Sequence, residues 1–108
     1  MEKGYLVMNK KFIFVFFVFL QIYALQVLAN DVFQGREVFM RECMACHGES
    51  GEGKLPGLPN FKEGQTLFKT DSALIDIVRD GKGVMPSFNG LLTDEDIRNV
   101  VAYLRSFL

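Results

Sequence analysis

From Asn30 to Leu108 the chain holds nine glycines and no stretch in which apolar and polar residues alternate as a half-buried strand requires. That sets a β-sheet aside. What remains is short and rich in residues that are entropically costly to order, so its own side chains make at best a marginal core. Where this part of the chain is regular it must be helical, and something other than peptide is expected to complete its interior.

The segment before Asn30 is of another kind. It carries 21 apolar residues against 32 in the much longer part that follows, which brings that part down to the apolar share of an ordinary globular domain. Lys10 and Lys11 precede an unbroken apolar run from Phe12 to Leu20, and Val27-Leu-Ala29 places small residues at the spacing a signal peptidase reads. The pattern predicts a signal peptide over residues 1–29, cleaved after Ala29, with Met8 a more natural start than Met1. An uncleaved membrane anchor is the alternative: the stretch from Phe12 to Ala29 is at the short end for a spanning helix, and Gln21 and Gln26 interrupt it. On either reading residues 30–108 form one exported domain, periplasmic or otherwise extracytoplasmic, that meets a membrane only if the N-terminal segment is kept.

From residue 30 onward there are 9 Lys and Arg against 12 Asp and Glu, an acidic balance that argues against nucleic acid as a partner and suits docking on basic patches. Helical spacing is clearest over Asp94–Phe107. There Thr93 can cap, three acidic residues sit at the positive end of the dipole, and Ile97, Val100, Val101, Leu104 and Leu108 form a stripe. A helix is also predicted over Val32–Ala45, capped by Asn30 or Asp31, with Val32, Gly35, Val38, Phe39 and Cys46 near one face. A shorter one is predicted over Ser72–Asp80, capped by Thr70 or Asp71 and stopped by Gly81, with Leu74, Ile75 and Val78 inward. Between them, Gly48–Gly64 and Gly81–Phe88 read as loops, long enough in so small a domain to be functional.

The chemistry is concentrated in Cys43-Met-Ala-Cys46-His47, which fits the Cys-x-x-Cys-His attachment pattern of a c-type haem. Cysteines three apart share one side of a helical turn, where each thiol can add to one vinyl group of the ring, and the adjacent histidine can then reach the iron. Other readings of two cysteines are a disulfide in an exported protein, a thioredoxin-like pair, which needs strands, and a zinc site, for which only a carboxylate would be left as fourth ligand. His47 is the only histidine, so a second imidazole ligand is excluded within this chain. Among the methionines, Met1 and Met8 belong to the signal, Met44 lies between the cysteines facing away, and Met40 reads as filler on the first helix. Met85 stands in a glycine-flanked loop well downstream of His47, next to Pro86, and is the candidate sixth ligand; its alternative role is packing on the ring face. A neutral thioether opposite an imidazole raises the potential and closes the iron to substrate, which reduces the chemistry to one-electron transfer rather than enzymatic turnover.

These residues resemble the class I c-type cytochromes of bacteria, particularly the short monohaem type, over Val32 to Phe107. Cys43-x-x-Cys46-His47-Gly48 resembles the attachment site, and Met85-Pro-Ser-Phe88 followed by Leu92–Ile97 the distal loop and last-helix entry. Gly35 and Phe39 match the first-helix residues that cross the last helix, here at Val100 and Tyr103 within Asn99-Val-Val-Ala-Tyr-Leu-Arg105. The resemblance implies an all-α small cytochrome c fold, with terminal helices crossing and long loops around one covalent haem c. Pro59-Asn-Phe61 resembles the family's Pro-x-Leu segment, which implies that the Pro59 carbonyl accepts a hydrogen bond from His47 Nδ1; Phe61 replaces the usual leucine. With no Trp in the chain, Lys54, Lys82 or backbone amides would have to meet the propionates. The implied function is a monomeric electron carrier between respiratory complexes, or to a periplasmic reductase or oxidase, with redox proteins as partners. The alternatives are a haem-bearing subunit of a larger oxidoreductase and, with Met85 off the iron, a small-ligand sensor or peroxidase-like protein.

Overall fold

The computed structural model describes residues 9–24 and 30–108, so the Val27-Leu-Ala29 junction and the choice between Met1 and Met8 lie outside the described residues. The apolar run forms helix α1 (Lys10–Ala24), whose phenylalanines are exposed, Phe12 at 67% and Phe14 at 72%. No helix among the described residues is long and apolar enough to cross a membrane.

The domain consists of α2 (Val32–Glu42), the single turn α3 (Met44–His47), a 3-10 turn at Phe61–Glu63, α4 (Asp71–Asp80) and α5 (Asp94–Arg105). Among the described residues there is no strand, only isolated bridges such as Lys82 with Met85. The fold is all-α, as expected, and its centre is the crossing of α2 and α5.

Gly35 makes that crossing possible. A Cβ there would lie 1.9 Å from Asn99 O and 3.0 Å from Tyr103 Cβ, so only hydrogen fits between the two backbones. One turn on, Phe39 fills the groove with its ring 5.3 Å from that of Tyr103. Phe39, Ile97 and Val100 are almost fully buried, and side chains of this kind contribute about 1.5–3 kcal/mol each when removed from water. A polar pin joins the pair: buried Asn99 accepts the Asp31 N–H on Oδ1 at 2.8 Å. Asp31 in turn caps α2 through Oδ1, which accepts from the N–H groups of Phe33 and Gln34.

Some sequence expectations need correction. The helix expected over Val32–Ala45 divides at Cys43, whose φ is stretched to −114° within the α region; a separate turn follows, and Gly48, at φ +83°, ends it. Val32 and Cys46 are exposed and do not join the buried face. In α5 the apolar stripe holds through Leu104, but Leu108 is 62% exposed. The helix ends at Arg105, and three-residue bonds from Ser106 to Tyr103 O and from Phe107 to Leu104 O tighten the chain. That brings Phe107, not Leu108, onto the core. The α4 cap is Thr70, whose Oγ1 accepts from Ala73 N, and the helix begins at Asp71.

Candidate haem site

The five-residue motif sits on a turn of its own. His47 N–H and Cys46 N–H both donate to Cys43 O, at 2.9 and 3.2 Å. The returning loop fastens the turn from the other side, where Gly53 N donates to His47 O at 2.7 Å and Lys54 N to Cys46 O at 2.9 Å. Both thiols are free rather than joined in a disulfide. They differ in setting: Cys46 is exposed, whereas Cys43 is half-buried and burial pushes its thiol up to about 11. Cys43 therefore stays protonated at neutral pH and has little nucleophilicity of its own.

His47 is buried, and desolvation holds its imidazole below the ordinary value, in the neutral form that ligates metals. Its ring stacks on Phe61 with centroids 4.9 Å apart and planes 18° from parallel. Nδ1 is buried with no hydrogen-bond partner. The bond expected from Nδ1 to the Pro59 carbonyl is thus not made in this structure. Pro59 does border the same cavity as His47, but the ring lies against Phe61 in a position where Nδ1 meets no acceptor.

Two adjoining cavities of about 390 and 150 Å³ open beside the motif, and Cys43, His47, Leu58, Val84 and Met85 border both. The larger lies within the span of cofactor pockets, about 300–1,000 Å³. Its walls are mainly apolar, with Phe39 and Val100 from the helix crossing and Leu74 and Val78 from α4. Met85 arrives on a tight loop in which Lys82 N donates to Met85 O at 3.1 Å and Met85 N to Lys82 O at 3.0 Å. Gly81, at φ +78°, lets that loop close: a Cβ there would stand 2.6 Å from Met85 O and 2.8 Å from Pro86 C.

The residues present fit a haem. An unprotonated imidazole, a thioether and two free thiols border joined apolar cavities, and no group of three or more His, Cys, Asp or Glu that could hold a metal ion occurs among the described residues. His47 and Met85 are the residues that would hold the iron, and Cys43 and Cys46 the ring.

A family model described as cytochrome c oxidase, cbb3-type, subunit III matches residues 30–104. Cytochrome c6 of Gracilaria tenuistipitata is 32% identical over 87% of this chain and 92% of its own length. The chain belongs to the monohaem class I cytochromes c. The solved structure of cytochrome c6 from the diatom Phaeodactylum tricornutum superposes with a TM-score of 0.61 at 37% identity, covering 70% of this chain and 92% of that one. The similarity also extends to the cbb3-type cytochrome c oxidase subunit FixP of Bradyrhizobium diazoefficiens, 35% identical over 70% of this chain but only 27% of that subunit. Membership of this family implies covalent haem c, and Cys43, Cys46 and His47 are consistent with it. The cytochrome is thus either a c6-like electron carrier or a haem subunit of the cbb3 kind.

Several cavity residues carry no signal in the sequence. Thr66, Leu67 and Lys69 reach the wall because Arg105 clamps their segment, donating to Leu67 O, to Lys69 O at 2.6 Å and to Asp71 Oδ1 at 2.6 Å. Of the lysines considered as propionate partners, Lys82 lines the larger cavity and Lys54 lines neither; Lys69 joins Lys82 there.

Proposed function

We propose that the chain is an exported one-electron carrier, with haem c attached through Cys43 and Cys46 and ligated by His47 and Met85. Its role would be to pass electrons between respiratory complexes or to a periplasmic reductase or oxidase. The observation that carries this reading is that His47 and Met85 border the same apolar cavities as Cys43. Bound there, haem supplies a one-electron couple at its iron. The chain's own residues do the rest. His47 offers a neutral nitrogen on a buried ring. The Gly81–Met85 loop presents a soft thioether. The apolar walls exclude water, which favours the less charged ferrous state. Leu55 and Val84, 51% and 86% exposed at the edge of the smaller cavity, leave an apolar rim for a redox partner. Export rests on Lys10, Lys11, the apolar run and Val27-Leu-Ala29; the family match beginning at residue 30 supports it.

Mass spectrometry of the purified protein is expected to give one haem mass on a chain beginning at Asn30. Ferric protein should show the near-red sulfur-to-iron charge-transfer band, and the ferrous form should not bind CO. Met85→Ala should keep its haem, lose the band and fall in potential. A high-spin ferric spectrum at neutral pH, or a band that survives in Met85→Ala, would reject the carrier with Met85 as ligand.

The likeness to cbb3-type subunits favours a second reading, a haem subunit held in a larger oxidase, although this chain spans only 27% and 31% of two such relatives. Co-purification with a membrane oxidase under mild detergent, in place of a free monomer, would support it.

A further inference from the structure

We propose that Phe61 orients the imidazole of His47, by stacking on it, and so acts as a positioning residue for the iron ligand. The inference rests on the reading of His47 as that ligand. The backbone of His47 is held on both sides, by Cys43 O and Gly53 N, so what remains free is rotation of its side chain. Nδ1, the atom through which a ligating histidine is ordinarily oriented, has no partner. The restraint that the structure does show is a flat one, the Phe61 ring at 4.9 Å and 18°.

Phe61 is itself fixed, as an orienting group must be. It is buried, and its N–H donates to Gly51 O at 2.7 Å. Gly51, at φ +72°, lets the loop pass close by: a Cβ there would stand 3.0 Å from Phe61 Cβ and 3.3 Å from the Phe107 ring. Phe107 lies 6.2 Å behind Phe61 and 5.3 Å from Tyr103, so the stack is anchored through aromatic contacts in the α2–α5 core. Leucine, the usual residue here in the family pattern, would fill much of this space but offers no plane. It could exclude water from the ring without setting its angle.

The plane of an axial imidazole selects the iron orbital it overlaps, and thereby the distribution of unpaired spin around a ferric haem. The test is proton NMR of the ferric holoprotein. Expected are hyperfine-shifted His47 ring protons, cross-relaxation between them and the Phe61 ring, an altered spread of haem methyl shifts in Phe61→Leu, and the wild-type spread in Phe61→Tyr. If the His47 protons are shifted but Phe61→Leu leaves the methyl spread unchanged, Phe61 does not orient the ring and the ligand assignment stands. Unshifted His47 protons would remove the ligand assignment itself. Should Phe61→Leu fail to retain haem, the wild-type cross-relaxation and the Phe61→Tyr spectrum decide: absence of the first, or a changed spread in the second, overturns the proposal.

Discussion

The two sides of Phe39 are finished differently. Toward α5 the chain closes on itself: Gly35 admits the Asn99 carbonyl, Tyr103 covers Phe39, and Asn99 satisfies the start of α2. Toward α4 the same Phe39 faces an apolar cavity of about 390 Å³ bordered by a histidine whose Nδ1 nothing satisfies. The first side is complete as peptide. The second is shaped as a binding site, since its apolar walls stand too far apart to pack on one another. One domain therefore contains a crossing whose changes should register first as stability, and a cavity whose changes should register first in the haem.

The strongest challenge to that contrast is to prevent attachment. Cys43→Ala with Cys46→Ala is expected to give a largely unfolded chain by far-ultraviolet circular dichroism, the α2–α5 crossing being too small to stand alone. A cooperatively folded apoprotein would show that the crossing is self-sufficient. Next in size is Gly35→Ala. Its methyl would meet backbone that cannot rotate away, and the expected loss is about 3 kcal/mol or more in urea unfolding of the holoprotein, with the absorption spectrum unchanged.

Gly81→Ala sharpens the comparison from the other side. The positive φ and the crowding against Met85 O and Pro86 are expected to destabilise by only about 1–2 kcal/mol. Yet the charge-transfer band should weaken, since the loop that carries Met85 must shift. An unaltered band would uncouple Gly81 from the proposed Met85 ligation.

The smallest effect belongs to the start of α5. Asp96 accepts from Thr93 N at 3.0 Å and from Thr93 Oγ1 at 2.8 Å, and these bonds hold its carboxyl below the usual range. A depressed folded-state value means that the box stabilises above the ordinary carboxylate range and loses that contribution as pH falls through the lowered value. Asp96→Asn should therefore remove a small acid-dependent part of the stability, about 0.5–1 kcal/mol for a capping interaction of this kind, as read from urea midpoints between neutral and acid pH. Equal loss at both ends of that range would mean that the cap acts without charge.

Much of this was legible in the chain before it folded. Thr93 announces its helix, and the pairs Asn30/Asp31 and Thr70/Asp71 narrow two other starts to one residue either way, because capping is a local event between a side chain and amides two or three residues on; the structure chooses Asp31 and Thr70. Cys43, Cys46 and His47 announce the cofactor because attachment chemistry needs them at one fixed spacing. Less legible was the break of the first helix at Cys43, since apolar periodicity runs through it and only the backbone angle records it.

The amino-acid sequence by itself determined which donors a haem could meet: one histidine, two cysteines at attachment spacing, a methionine in a glycine-flanked loop, and too little peptide to fill a core. Tertiary structure alone decided what surrounds that histidine. Phe61 stacks on it, Pro59 leaves Nδ1 unpaired, and Leu67 and Lys69 reach the cavity wall under the Arg105 clamp. These contacts join residues far apart in the chain through loops turned by glycines at positive φ. Short-range pattern encodes where such a loop can bend, but which side chains it brings face to face depends on the packed whole.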